Sequence, residues 1–146
     1  MAQPDGLDAG EALVVTVPVS FAGSAAVTMR GAFSLRASQL RRAAVDEWAR
    51  AAEHCGFPFA SGDLIVGISD HGRIHVWRPR FFVARPGRHR GWFPARRVEQ
   101  VGVVRRGAVT RLTLLIDDGT LIGFEAMRAR RVRAFADAVR AAGTLR

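Results

Sequence analysis

The chain has no lysine, no asparagine and no tyrosine, and a single cysteine, Cys55. One thiol excludes an intramolecular disulfide framework and any multi-cysteine zinc site. Without lysine there can be no phosphate-binding glycine loop of the kind that closes on Lys-Ser or Lys-Thr. A strongly apolar run of about 20 residues, which a spanning helix requires, is also missing. The uncharged stretch 12–29 contains Thr16, Pro18, Ser20, Gly23, Ser24 and Thr28, which argues against a membrane span. Asp5, Asp8 and Glu11 all precede the first cation, Arg30, so no basic segment opens a secretory signal. These absences lead us to expect a cytoplasmic protein without a transmembrane segment, one that could sit peripherally at the inner face of the membrane.

What is present describes a globular domain. The 146 residues are 49% hydrophobic and 24% charged, enough for one domain with its own core. All 22 basic residues are arginine, and the formal charge is +9. The charge is uneven. Residues 1–56 are slightly acidic, and the excess of arginine lies beyond them. Its peak is the acid-free stretch 78–97, with Arg78, Arg80, Arg85, Arg88, Arg90, Arg96 and Arg97. Such a field attracts phosphates, acidic proteins and anionic membrane surfaces. An Arg-, Ala-, Gly- and Val-rich composition also follows from a GC-rich genome, so solvated arginine around core aromatics is the plain alternative.

Periodicity sets the elements. Leu13, Val15, Val17, Val19 and Phe21 alternate as a strand, with Pro18 best placed at a sheet edge. That edge could also pair between chains, which leaves the oligomeric state open. A second short strand is expected at 25–29. Leu40, Ala44, Trp48, Ala51, Ala52 and Cys55 make one stripe of a helix over 34–55, capped by Ser34 or Ser38 and ended by Gly56 and Pro58. From Ser61 the pattern changes to short strands: 64–69, 73–78 after a turn at Asp70-His71-Gly72, 81–85, 98–105, 112–117 and 121–126. Residues 85–91 read as a loop with Pro-Gly chemistry. Asp118-Gly119 reads as a two-residue hairpin turn. Val132, Phe135, Val139 and Ala142 predict a closing helix over 128–142, stopped by Gly143. Residues 1–10 are expected to be a disordered tail, and 11–146 one domain.

About seven short antiparallel strands followed by one amphipathic helix predict an α+β fold, a bent antiparallel sheet or barrel capped by the C-terminal helix. Residues 63–77, Asp-Leu-Ile-Val-Gly-Ile-Ser-Asp-His-Gly-Arg-Ile-His-Val-Trp, resemble the opening hairpin of bacterial, actinobacterial-type pleckstrin-homology-like (PH-like) and GRAM-like domains. Residues 93–101, Phe-Pro-Ala-Arg-Arg-Val-Glu-Gln-Val, resemble a later segment of the same domains, and 112–124 with the last helix resemble their end. The resemblance implies a PH-like core over 61–146, with a strand-plus-helix extension over 11–60. It also implies a non-enzymatic binding or scaffolding module that docks on a protein partner or an anionic lipid surface. Phosphoinositide specificity is not implied, because the turn Asp70-His71-Gly72-Arg73 is short and holds one basic residue.

No catalytic, metal or cofactor constellation is expected. Gly67-Ile68-Ser69-Asp70-His71 misses the nucleophile-elbow pattern at its last position and lies in a hairpin rather than a strand-to-helix turn. His71 and His75 are four apart on a turn and a strand, which does not bring them to one face. Asp117 and Asp118 read as turn residues, and His54-Cys55 as helix-end packing. The expected anion- or partner-binding residues are Arg78, Arg80, Arg85, Arg88, Arg90 and Trp92, since arginine forks suit phosphate and carboxylate and aromatic rings suit stacking or an interface. The alternative use of the 78–97 segment is non-specific nucleic-acid binding through counterion release.

Overall fold

The structure is a computed structural model, and it describes residues 3–21, 35–60, 62–80 and 83–144. The strand expected at 25–29, Ser34 and Phe81 lie outside the described residues. Seven strands occur: β1 (Leu13–Phe21), β2 (Leu64–Ser69), β3 (Arg73–Arg80), β4 (Val83–Pro94), β5 (Val98–Arg106), β6 (Val109–Ile116) and β7 (Leu121–Ala126). Helix α1 (Leu35–Cys55) lies between β1 and β2, and α2 (Ala129–Thr144) closes the chain. The class is α+β, as expected. The strands form one antiparallel sheet in the order β4-β3-β2-β1-β7-β6-β5. β4 and β5 are its two ends and do not pair, so the sheet is not a closed barrel.

One side of the sheet faces the core. Leu64, Val66 and Ile68 of β2, Ile74 and Val76 of β3 and Phe93 of β4 point there, with Leu112, Leu114, Ile116, Ile122 and Phe124 from the other half. Val132, Phe135, Ala136 and Val139 of α2 fill it, and Phe135 is fully buried. Burying a phenylalanine side chain contributes about 1.5–3 kcal/mol. From α1 come Trp48, Ala52 and Cys55. Trp48 packs against Phe59 and Phe124 at ring distances of 4.9 and 5.9 Å, and its indole N–H donates to the Gly123 carbonyl. The helix ends as its residues dictate: Gly56 adopts φ 83°, and the amides of Gly56 and Phe57 both bond to the Ala52 carbonyl. Its start at Leu35 places Ser38 inside the helix rather than at a cap.

Three expectations change here. β1 is not an appendage: it joins β2 to β7 and so links the two halves of the sheet. The division into a 11–60 extension and a 61–146 core therefore does not follow the architecture. Pro18 is nonetheless accommodated, because β1 pairs with β7 only at Ser20 and Phe21 and has a β2 ladder alone beside Pro18. The expected loop 85–91 is strand. β4 runs through Pro86 and Gly87 because three register irregularities between Val76 and Arg80 absorb the residues that break the period. Gly87 is needed there, since a Cβ would meet the Arg78 carbonyl oxygen at 2.7 Å. The β6–β7 connection is also longer than two residues: Asp117 to Thr120 loop out, with Gly119 at φ 89° and the Ile116 amide bonded to the Thr120 carbonyl.

The fourth change concerns the N-terminus. Residues 3–10, expected as a disordered tail, lie as a strap across the outer face of β2, β3 and β4. The Trp77 indole N–H donates to the Asp5 carbonyl at 2.8 Å. Strand alternation puts Ile65, Gly67 and Ser69 of β2 and Arg73, His75 and Trp77 of β3 on this outer face. Ile65, His75 and Trp77 are buried there, although they lie outside the main core cluster.

Candidate functional site

Two groups of residues could carry function: the basic β3–β4 hairpin and a polar cluster under the strap. The hairpin holds Arg78 and Arg80 on β3 and Arg85, Arg88 and Arg90 on β4, all exposed. Because β4 is the end of the sheet, the hairpin forms one margin of the molecule. Among the described residues none of these five has an acidic partner. Unpaired guanidinium groups keep their full capacity for phosphate or carboxylate.

Other members of the acid-free stretch are used differently. Arg97 is a structural clamp. Its guanidinium donates to the Cys55 carbonyl at 2.8 Å and to Asp117 at 3.0 Å, and lies 4.9 Å over the Phe93 ring. It thereby ties the end of α1 to the β6–β7 loop, which explains Asp117 as a turn residue with a partner. Asp118 is held below the usual carboxylate range by hydrogen bonds from Thr120. Trp92 sits apart from the five arginines in kind: it is 46% exposed, but the Arg73 guanidinium stacks 4.5 Å over its ring. Trp92 and Arg73 also wall an open groove of about 1020 Å³ that reaches Ala138 and Ala142 of α2.

The polar cluster is centred on Glu11, whose side chain is fully buried. One carboxylate oxygen accepts from the Ser69 hydroxyl and from His75 Nε2, the latter at 2.9 Å. The other accepts from the Asp8 amide at 2.9 Å and lies 3.6 Å from the Arg73 guanidinium. Burial alone would raise the Glu11 pKa, but the donors from Ser69, the Asp8 backbone and His75 outweigh it and hold the carboxyl at about 2. An ionised Glu11 has no proton to give, so His75 Nε2 must carry one. His75 Nδ1 meets His89 Nε2 at 2.9 Å. Burial, and then the neighbouring His75, push the His89 pKa down.

Chemically this cluster resembles a triad only in its residue types. Ser69 donates to the carboxylate rather than to an imidazole, so no base is aimed at its oxygen. Ser69, Glu11 and His75 are all buried beneath the strap. Ligand atoms of Asp8, Glu11 and His71 lie within 4.8 Å of one another, a spacing that could hold a cation. The Arg73 guanidinium already bridges Asp8 and Glu11 in that place, so the donor set suits a guanidinium better than a metal ion. At the end of α1, burial pushes the Cys55 thiol up, as expected for a packed cysteine rather than a reactive one.

Sequence reasoning singled out the five hairpin arginines as candidates and missed the cluster. Glu11, Ser69, His75 and His89 are separated by up to 64 residues between bonded neighbours. A signal for it existed in β2, where Leu64-Ile65-Val66-Gly67-Ile68 is an unbroken run without a polar side chain, as in a strand buried on both faces. A strand buried on both sides must have its second face covered. No family model, curated protein or solved structure matches this chain.

Proposed function

We propose that the protein is a non-enzymatic, PH-like binding module that docks on an anionic membrane surface through its β3–β4 hairpin. The PH-like part of the reading is supported by the antiparallel seven-strand order and by the C-terminal helix packed into the core side of the sheet. The intervening helix α1 departs from the pattern. The observation that carries the function is the set of five exposed arginines, Arg78, Arg80, Arg85, Arg88 and Arg90, without acidic partners among the described residues. Near an anionic leaflet each arginine contributes about 1 kcal/mol, so the set is enough for reversible attachment and too little for permanent anchoring. The non-enzymatic reading is supported by the Ser69–Glu11–His75 arrangement, in which the Ser69 hydroxyl and His75 Nε2 are both spent on the Glu11 carboxylate.

The test is co-sedimentation with phosphatidylglycerol-containing vesicles, with phosphatidylcholine vesicles and a short DNA duplex measured in parallel across salt. Attachment to the acidic vesicles that weakens as salt rises, and exceeds binding to the duplex, is the expected result. Equal or stronger binding to the duplex would transfer the hairpin to nucleic acid. No binding to either would end the reading.

A further inference from the structure

The strap is held in an unusual way for a segment that buries a tryptophan. Residues 3–12 form no strand ladder with the sheet. They are acidic, with Asp5, Asp8 and Glu11 at intervals of three. They meet the outer face through a few specific groups. Trp77 donates to a main-chain carbonyl, Arg73 pairs with the Asp8 carboxylate, and Gly6 packs so close to the His89 ring that a Cβ would lie 2.2 Å from it. Gly6 and Gly10 adopt φ of 86° and 79°, a turn-rich path that only glycine takes without strain.

A carbonyl-binding indole, a carboxylate-binding guanidinium and a flat aromatic wall are what a receptor for an acidic, turn-forming peptide needs. We infer that the Arg73–Trp77–His89 face is a binding site for an acidic peptide segment of a partner protein, and that residues 3–8 occupy it in cis. Charge complementarity favours that occupant: the Asp8 carboxylate pairs with Arg73 of β3, and Glu11 accepts from His75 on the same strand. Glu11 remains the hinge post, because it is buried against Ser69 of β2 and His75 of β3 and is fixed from both carboxylate oxygens. This site shares β3 and β4 with the five exposed arginines but uses none of them, so it does not depend on their reading.

The full chain carrying Gly6→Val tests the inference. A Cβ at Gly6 would lie 2.2 Å from the His89 ring, at a φ that suits glycine, so the change disfavours the docked path of residues 3–8 without substituting any receptor residue. The probe is a fluorescent peptide with the sequence of residues 3–9, Gln-Pro-Asp-Gly-Leu-Asp-Ala, followed by anisotropy. Trp77 indole proton exchange, followed by NMR, reports whether the strap has left. The expected result is an exposed indole and saturable capture of the peptide, at least about tenfold tighter than by the parent, whose site is open only when its own strap is off. Capture should be lost with Asn in place of the peptide's second Asp, and with Arg73→Gln in the chain. Four results would overturn the inference. They are an indole that stays protected, an exposed indole with no capture, displacement of the peptide equally well by a DNA duplex, or a Gly6→Val chain that no longer unfolds cooperatively. The last would make the strap an integral part of the fold rather than a replaceable ligand.

Discussion

Protonating Glu11 should remove much of what holds the strap to the sheet. Its folded-state pKa is lowered from 4.5 to about 2. A depressed carboxylate contributes stability that is present above the unfolded value and is lost as pH falls toward the folded one. One unit corresponds to about 1.36 kcal/mol, so the stabilisation at neutral pH is on the order of 3 kcal/mol. The loss should begin near pH 4.5 and be nearly complete at pH 2. Glu11→Gln keeps the volume and removes the titration, so the difference between parent and variant isolates this group. Urea unfolding, followed by far-UV circular dichroism at intervals from pH 7 to pH 2, measures it. The parent's advantage over Glu11→Gln should be constant from pH 7 to about 5 and then shrink by roughly 3 kcal/mol. A difference that stays flat across that window would refute the assignment of Glu11 as an ionised, multiply bonded carboxylate.

Other substitutions probe the frame around the site. Phe135→Ala should cost about 3–5 kcal/mol in the same assay, since the ring is fully buried in the core; a cost below about 1 kcal/mol would mean α2 does not close it. Gly67→Val should destabilise by more than about 1 kcal/mol, because a Cβ there already meets Trp77 and Thr16 at 3.0 Å and the branched side chain overpacks the bed of the tryptophan. Cys55 should react with a thiol reagent only in denaturant, since its side chain is buried and burial raises its pKa; rapid labelling of the native protein would contradict the packing described.

How much of this was legible in the sequence depended on the range of the interactions. The helices α1 and α2 follow from local stripes, and Trp48 and Phe135 are buried as those stripes require. The β6 and β7 strands likewise follow from simple alternation. β4 was not legible, because Pro86, Gly87 and Gly91 mimic a loop and only pairing with β3 keeps them extended. The central place of β1 depends on partners about 50 and 105 residues away, which no local period records. Glu11 looked like one more acid ahead of the first arginine. Its role emerges only when β2 and β3 bring Ser69 and His75 to the same face.

The most direct test of the account is the vesicle affinity of the chain with Arg85, Arg88 and Arg90 changed to Gln. At about 1 kcal/mol for each arginine, the triple change should weaken binding to phosphatidylglycerol-containing vesicles by roughly 100-fold at low salt. It should also flatten the dependence on salt, because fewer charges are screened. The melting temperature should hardly move, since these side chains are exposed and unpaired among the described residues. A folded triple variant that binds the vesicles as tightly as the parent, with the same salt dependence, would contradict the claim that this hairpin is the docking surface.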